Sequence, residues 1–356
     1  MSKEFKSKVD VNSESFLKNR AEMLEKIKEM HNLEKRSFDA SESKRKKFED
    51  RNQLSPRERL KALIDPDSEF VELYNMAGFL VEDKNFETSI PGASVIAGIG
   101  FINGVRCMIM VDDSGINAGA ATSTTVDKCV GCLEISLEKK LPFVHLVESA
   151  GINLMNYKVE IWARAGGMFA GLAKLSAAGV PTITVLHGLS TAGGAYNVGM
   201  SDYVIGVKKN GMAALAGPAL LKAATNEVAS NEELGGSEMH ATVSGLVEYL
   251  AEDDSDAINI ARDVIKSLDW NSGFSEIKNN DFLEPKYDID ELAGIVNLDY
   301  KKPYDAREIV LRLVDDSRFI EFKPRYGITT LCFQADINGN SCGIIANNGP
   351  IDTDGA

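Results

Sequence analysis

Residues 181–200, PTITVLHGLSTAGGAYNVGM, have the types and spacing needed to bind an anion through backbone amides. A buried strand over 182–186 leads through small and polar residues to Gly193-Gly194, and an apolar helix follows. Paired glycines let the backbone approach a ligand closely, and the amides of a first helical turn point outward. The pattern is typical of a phosphate site or of an oxyanion hole for a thioester enolate, and also of a tight turn that merely needs glycine.

Two other small-residue segments follow strand-like runs. Glu148-Ser149-Ala150-Gly151 comes directly after the run 143–147, and residues 115–120 come after the run 105–111. Loops at the carboxyl ends of strands commonly form the ligand crevice of an α/β fold. We therefore expect these segments to lie near Gly193-Gly194 and to leave room for a bulky ligand.

Other catalytic patterns fit less well. The run 188–193 is one residue too long for a nucleophile elbow, and Gly98-Ile99-Gly100 precedes a hairpin rather than a helix. Cys129 and Cys132 form a lone CxxC, whereas a structural zinc site usually needs two such pairs. A strand would also send His145 and Glu148 to opposite faces. We predict no metal site.

Composition restricts the class of protein. Among 356 residues, 39 are Lys or Arg and 53 are Asp or Glu, so the formal net charge is −14. This charge argues against nucleic acid and anionic membranes as partners, because both are bound by cationic side chains. The apolar runs are too short to span a membrane, and no secretory signal is recognisable. With an odd number of cysteines, five, we expect a reduced, cytoplasmic protein.

Strand-like runs alternate with Ala- and Gly-rich helical stretches beyond about residue 92, which predicts an α/β fold with a helix-covered sheet. Residues 1–53 are charged, with apolar residues at helical spacing, and are interpreted as a helical arm. The strand-like runs are 94–99, 105–111, 143–147, 182–186 and 204–207, and the helical stretches are 126–139, 161–178 and 195–200.

The chain also contains an internal repeat. RERLKALIDPDSEFVEL at 57–73 matches REIVLRLVDDSRFIEF at 307–322, with one residue deleted in the second copy. Further along, Ile102-Asn103-Gly104 matches Ile337-Asn338-Gly339 at an offset of 235 residues. Each Asn-Gly lies between apolar strands, as in a two-residue hairpin turn. Two matching segments in the same order indicate one α/β unit and the opening of a second.

These motifs resemble the carboxyltransferase (β) subunits of biotin-dependent acyl-CoA carboxylases of the acetyl-, propionyl- and methylcrotonyl-CoA type, in the crotonase superfamily. The similarity runs from about residue 54 to 356, and methylcrotonyl-CoA-type subunits are most similar around 216–240. The matching blocks are LSPRERLKALIDPDSEF (54–70), ESAG (148–151), TAGGAY (191–196), AGPALLKAATNE (216–227), EELGGSEMH (232–240), SG (244–245), PYDAREIVLRLVDDSRFIEFKPRYG (303–327) and GIIANNG (343–349).

The resemblance implies a crotonase-like spiral of ββα units. It places a charged arm at 1–53, an acyl-CoA-side domain at 54–275, a linker at 276–300 and the start of a second crotonase-like domain at 301–356. The repeat offset puts the biotin-side oxyanion hole near residue 428. We therefore expect this chain alone to lack a complete active site. The family resemblance also implies a homo-oligomer, usually a hexamer.

The implied activity is transfer of CO2 from carboxybiotin, carried on a partner protein, to the α-carbon or vinylogous γ-carbon of an acyl-CoA. The partners would be a biotin carboxylase and a biotin carboxyl carrier protein (the α subunit), in fatty-acid or branched-chain amino-acid metabolism. Backbone amides of Gly193, Gly194, Ala150 and Gly151 would form the acyl-CoA oxyanion hole. The predicted CoA pocket comprises Asn117, Ala118, Gly119, Ala120 and Ala192.

Three alternatives remain open from the sequence. A biotin-dependent decarboxylase would run the same chemistry in reverse. A crotonase-like hydratase or isomerase would need a carboxylate in the pocket, and Glu148 is the one candidate. A non-catalytic assembly subunit is the third possibility.

Overall fold

The structure, a computed structural model, describes residues 5–152, 159–270 and 281–356. The chain divides into two compact units. The large unit is Leu33–Gly273, and the small unit combines Met1–Asn32 with Phe274–Ala356. The predicted linker at 276–300 lies partly outside the described residues, and the domain boundaries drawn from the sequence stay a prediction.

Helices and strands follow one another along the chain as the sequence pattern indicates. The helices are α1 (Glu14–Glu42), α2 (Arg45–Glu49), α3 (Pro56–Leu63), α4 (Ser123–Lys139), α5 (Val159–Ala177), α6 (Gly193–Gly199), α7 (Pro218–Thr225), α8 (Asn231–Gly235), α9 (Ser237–Met239), α10 (Asp254–Ser267), α11 (Leu292–Ile295) and α12 (Ala306–Val310). The strands are β1 (Val71–Glu72), β2 (Val95–Ile102), β3 (Val105–Asp112), β4 (Phe143–Ser149), β5 (Thr182–Thr191), β6 (Tyr203–Val207), β7 (Met212–Ala214), β8 (Tyr249–Ala251), β9 (Phe319–Phe322), β10 (Thr330–Ile337) and β11 (Asn340–Asn347). Within the described ranges, no helix is long and apolar enough to cross a bilayer.

The large unit is built on an eight-stranded sheet in the order β1-β2-β3-β4-β5-β6-β8, with β7 beside β5. Strands β1, β2 and β3 pair antiparallel. From β3 onward the neighbours β4, β5, β6 and β8 pair in parallel. The parallel strands therefore all end at the same edge of the sheet.

Helices cover both faces of this sheet. Successive side chains of a strand point to opposite faces. Accordingly, Cys107 and Ile109 of β3 join a core cluster with α3 and α10, whereas Met108 and Met110 join another with α4 and α5. The large unit is thus a three-layer α/β/α structure, as strand-helix alternation predicts.

Local sequence signals set where the flanking helices begin. Ser55 and Glu58 form a capping box around Pro56 at the first turn of α3. The Asp253 side chain accepts the amide of Asp256 and caps α10. Both helices carry one charged residue, Arg59 and Asp254, that ends up buried.

The small unit contains a three-stranded antiparallel sheet in the order β11-β10-β9. Val310 and Val314 pack with Leu331 and Phe333 in its core. Its α12–β9–β10–β11 segment repeats the α3–β1–β2–β3 segment of the large unit. Glu72 pairs with Gly98 and Glu321 with Phe333. The two partner residues, Gly98 and Phe333, are 235 positions apart, which is the offset found in the sequence.

Equivalent ion pairs accompany the repeat. Arg57 donates to both carboxylate oxygens of Glu72 at 3.0 and 3.2 Å. Arg307 makes the corresponding bonds to Glu321 at 2.9 and 2.6 Å. The helix–strand–hairpin repeat expected from the sequence is therefore confirmed.

Candidate functional site

Three loops of small residues lie where β3, β4 and β5 end. These strands are parallel neighbours, so their carboxyl ends share one edge of the sheet. The loops contain residues 117–120, 149–151 and 192–194. The structure thus brings together the three segments in the place where α/β proteins commonly bind ligands.

The first two loops are joined by hydrogen bonds. The Ala150 amide donates to the Ala118 carbonyl at 3.2 Å, and Ser149 Oγ donates to the Gly119 carbonyl at 2.7 Å. Gly119 has a φ of +69°, and a Cβ placed on it would lie 2.3 Å from the Glu148 carbonyl oxygen. Only glycine allows this close approach without displacing the backbone.

The second and third loops are also adjacent. Ser149 pairs with Ser190 in the sheet, and a Cβ on Gly151 would lie 3.2 Å from the Thr191 carbonyl oxygen. Ala192 has a φ of 53° and a ψ of −120°, a conformation that is strained for alanine. Its amide donates to the Ala214 carbonyl at 3.1 Å, which holds this turn against β7.

The predicted donors differ in whether their amides already have a hydrogen-bond acceptor. Gly193 and Gly194 are the first two residues of α6, where no acceptor exists within the helix, and both are half-buried. The amides of Ala150 and Gly151 instead donate within the chain, to Ala118 and to Ser149 Oγ, each at 3.2 Å. Such long bonds are at the weak end of the range and can be exchanged for a ligand oxygen.

The predicted CoA-pocket residues lie beside these donors. Asn117 and Ala118 are exposed and have positive φ angles of 50° and 54°, whereas Gly119 and Ala120 are buried. Ala192 links β5 to α6. The structure places all five in the loop cluster, and their role in binding CoA stays a prediction.

A buried charge cluster lies next to the loops, and it could not be recognised from the sequence pattern. Arg59 Nη1 donates to Glu148 Oε2 at 2.7 Å, and Arg59 Nε donates to Asp254 Oδ2 at 2.8 Å. The other Asp254 oxygen lies 2.8 Å from Nδ1 of His187. Arg59 and His187 are completely buried. We call these four residues the Arg59 cluster.

Protonation states in the Arg59 cluster follow from its burial and charges. Burial alone would raise the pKa of Asp254, but the hydrogen bond from His187 and the hydrogen bond and charge of Arg59 lower that pKa below its usual value. Burial, and then the nearby Arg59 charge, lower the pKa of His187. At neutral pH a neutral His187 therefore carries its proton on Nδ1 and donates it to the Asp254 carboxylate.

The other residues considered for metal binding are occupied elsewhere. Cys129 and Cys132 lie on the buried face of α4, and burial raises the pKa of both thiols, that of Cys132 to about 12. His145 Nε2 lies 3.1 Å from Asp112 Oδ1. Among the residues that the structure describes, no three His, Cys, Asp or Glu side chains are grouped so as to hold a metal ion.

An apolar cavity of about 810 Å³ adjoins the Gly193-Gly194 turn. Its walls come from α6, β7, α7 and α8 and from neighbouring residues. The principal apolar lining residues are Ala195, Tyr196, Met200, Leu215, Leu220, Leu221 and Leu234. Its volume and apolar lining are typical of a small-molecule site.

Comparisons with known proteins agree on one family. The model of the carboxyl transferase domain matches residues 47–355. A probable biotin-dependent acyl-coenzyme A carboxylase β2 subunit of Mycobacterium tuberculosis is 44% identical over 301 residues, covering 83% of this chain and 54% of that protein. The mitochondrial methylcrotonoyl-CoA carboxylase β chain of Dictyostelium discoideum is 39% identical, covering 96% of this chain and 58% of that protein.

A solved structure shows the same fold. The β subunit of P. aeruginosa geranyl-CoA carboxylase superposes with a TM-score of 0.88 at 44% identity, covering 97% of this chain and 64% of that one. The chain therefore belongs to the carboxyl transferase domain family, and the crotonase-like α/β fold expected from the resemblance is confirmed. It spans less than two thirds of the length of these relatives.

Proposed function

We propose that this chain supplies the acyl-CoA side of a carboxyltransferase in a biotin-dependent acyl-CoA carboxylase. The observation that carries the proposal is the meeting of the 149–151 and 192–194 loops at the ends of adjacent parallel strands. Amides of these loops can hold the oxygen of a thioester enolate, which is the charge that develops when the acyl α-carbon loses a proton. Family membership supports the same activity.

Biotin on a partner carrier protein would supply the activated carboxyl group and the basic nitrogen. The chain's own residues then need only bind CoA, orient the acyl group and stabilise the oxyanion. Gly193 and Gly194 are the best-placed donors because their amides have no acceptor within α6. Ala150 and Gly151 would join them by exchanging their long internal hydrogen bonds for the ligand oxygen.

The state of Glu148 argues against a hydratase or isomerase. Such an enzyme needs a carboxylate that can take or give a proton at the substrate carbon. Glu148 is 4% exposed, and its carboxylate is bound by Arg59. A decarboxylase would run the reaction in reverse through the same enolate and use the same amides, so it remains the second candidate.

The acyl group fits the apolar cavity next to Gly193-Gly194. Two relatives are named for methylcrotonoyl-CoA and geranyl-CoA, which are branched and unsaturated. We include such substrates, carboxylated at the vinylogous γ-carbon, in the proposal alongside short saturated acyl-CoAs.

The proposed partners are the biotin carboxylase and biotin carboxyl carrier (α) subunit, together with further copies of this chain. Exposed apolar side chains of the large unit support contacts between copies; they include Leu215, Leu220, Val228 and Val243. A cytoplasmic location stays a proposal that cell fractionation can check.

The first experiment titrates the full chain calorimetrically with propionyl-CoA, 3-methylcrotonoyl-CoA and free CoA. Acyl-CoA binding is expected, and Gly194→Ala should weaken it, because the new Cβ would lie 2.6 Å from Ser190 Oγ and displace the turn. Gly166→Ala, on α5 and outside the apolar cavity, has open space and serves as the control.

The second experiment assays the chain assembled with its biotin-carrying partner. Transfer of labelled bicarbonate to an acyl-CoA would support carboxylation, whereas net CO2 release from a carboxyacyl-CoA alone would favour the decarboxylase. Hydration of an enoyl-CoA that is lost in Glu148→Ala would contradict the proposal.

A further inference from the structure

Arg59 links the ends of two neighbouring strands, one directly and the other through Asp254. Its guanidinium is completely buried, donating through Nη1 to Glu148 on β4 and through Nε to Asp254 at the start of α10. Asp254 in turn binds His187 on β5. A single side chain from α3 therefore joins β4 directly and β5 through one intermediate.

The strands joined in this way are irregularly paired at that point. Val147 pairs with Leu186, but Ser149 pairs with Ser190, so Glu148 alone faces three residues of β5. Bulges of this kind re-aim the backbone and are common beside active sites. Gly188 lies in the bulge because a Cβ there would come within 2.5 Å of Glu148 Cγ.

Further hydrogen bonds between side chains and backbone hold the same region. The Glu148 amide donates to Asp112 Oδ2 at 3.1 Å, and the Gln53 side chain donates to the His187 carbonyl at 2.8 Å. The Leu54 amide donates to Asp254 Oδ2 at 2.9 Å. Both the main chain and the side chains around the bulge are thus fixed.

The two amide-bearing loops begin immediately beyond this bulge. Ser149-Ala150-Gly151 follows Glu148 directly, and Gly193 follows His187 by six residues. We propose that Arg59, Glu148, Asp254 and His187 are positioning residues that set the distance between these two loops and thereby the geometry of the oxyanion hole. This inference rests on the proposed function.

The fork geometry of Arg59 is what the role requires. A planar guanidinium can address two carboxylates in fixed directions, whereas a lysine ammonium is a single point charge on a flexible stem. Arg59→Lys keeps the charge and loses the fork. Arg57→Lys is the matched control, because Arg57 is also on α3 and also binds a carboxylate by two bonds, to Glu72 on β1, away from the loops.

The test measures how strongly the hole polarises a bound thioester. The full chain is loaded with propionyl-CoA labelled with ¹³C at the carbonyl, and its stretching frequency is recorded by difference infrared spectroscopy. Wild type and Arg57→Lys should lower the frequency relative to free propionyl-CoA. Arg59→Lys should lose most of this shift while calorimetry still detects CoA binding.

Asp254→Asn is a second variant of nearly unchanged shape, which also serves if Arg59→Lys does not fold. It should likewise reduce the carbonyl shift, because a neutral amide replaces the carboxylate that binds Arg59 and His187. An undiminished shift in the folded variants would overturn the positioning role and leave the proposed function intact. A wild-type chain that binds no acyl-CoA would instead overturn the proposed function, and this inference with it.

Discussion

Asp65 and Asp315 make the same two contacts to a hairpin turn in the two units of the chain. The Asp65 carboxylate accepts the amides of Asn103 and Gly104, each at 2.7 Å. Asp315 accepts the amides of Asn338 and Gly339 at 2.8 and 2.7 Å. In each unit an aspartate between a helix and a hairpin therefore holds the two-residue turn of that hairpin through two hydrogen bonds.

Replacing either aspartate should loosen only its own hairpin. An asparagine offers one acceptor oxygen in place of two, so Asp65→Asn should destabilise the Asn103-Gly104 turn by about 1–3 kcal/mol. Hydrogen exchange should accelerate at these amides and remain unchanged at Asn338 and Gly339. Asp315→Asn should give the converse pattern, and faster exchange at both turns in one variant would contradict the prediction.

Gly119 should tolerate alanine less well than Gly179 does. Both have nearly the same φ, +69° and +68°, so both substitutions carry about 1–2 kcal/mol of backbone strain. Only at Gly119 would the Cβ also meet a backbone atom, the Glu148 oxygen, which adds about 1–3 kcal/mol. Urea unfolding of the two variants measures the difference in their loss of stability. Equal losses would show that the loops move apart at little cost to accommodate the Cβ.

Lys128 should make the chain more stable as the pH rises from about 8 to 10.5. Its ammonium donates to the carbonyls of Gly92 and Val95, and burial lowers its pKa to about 8. In that range the unfolded chain holds the proton and the folded chain does not, so folding stability rises, by up to about 3 kcal/mol. Chemical unfolding at several pH values measures this rise.

Lys128→Met provides the control for that measurement. Burial raises the pKa of thiols such as Cys107, so these thiols ionise first in the unfolded chain and lower the folding stability at high pH. This effect opposes that of Lys128. The free energy of unfolding should therefore be measured for wild type and Lys128→Met at each pH. A difference between the two proteins that does not change between pH 8 and 10.5 would refute the prediction.

His187 should remain neutral below the pH at which an ordinary histidine is protonated. Its pKa lies below the usual 6.5 because it is buried and close to Arg59. The unfolded chain takes up the proton first, so stability should fall as the pH drops below about 6.5. Nitrogen-15 spectra of the imidazole should show the proton on Nδ1, and a His187 that titrates at or above pH 6.5 would contradict this.

Much of the fold could be predicted because its signals are local. The strand predicted at 143–147 is β4, and the helix predicted at 126–139 is the body of α4. Alternation, glycine turns and capping residues act over a few positions, so they can be recognised without knowing the fold. The Asn-Gly turns at 103–104 and 338–339 are confirmed for the same reason.

Part of the candidate site could also be predicted from the sequence. Ser149-Ala150-Gly151 and Gly193-Gly194 attract notice because small residues follow apolar strands, and the topological rule for parallel sheets places them together. The sequence did not reveal that the Ala150 amide is already bonded to Ala118. That bond depends on the path of a loop some thirty residues earlier in the chain.

By itself the sequence determined the α/β alternation, the repeat and the three small-residue loops, because each is written in neighbouring residues. Only the tertiary structure decided that Arg59 meets Glu148 and Asp254, which lie 89 and 195 positions further along the chain. Strand order and helix packing bring these charges together, and burial then compels them to pair, since an isolated buried charge is too costly. The residues behind the loops were therefore invisible until the sheet was assembled.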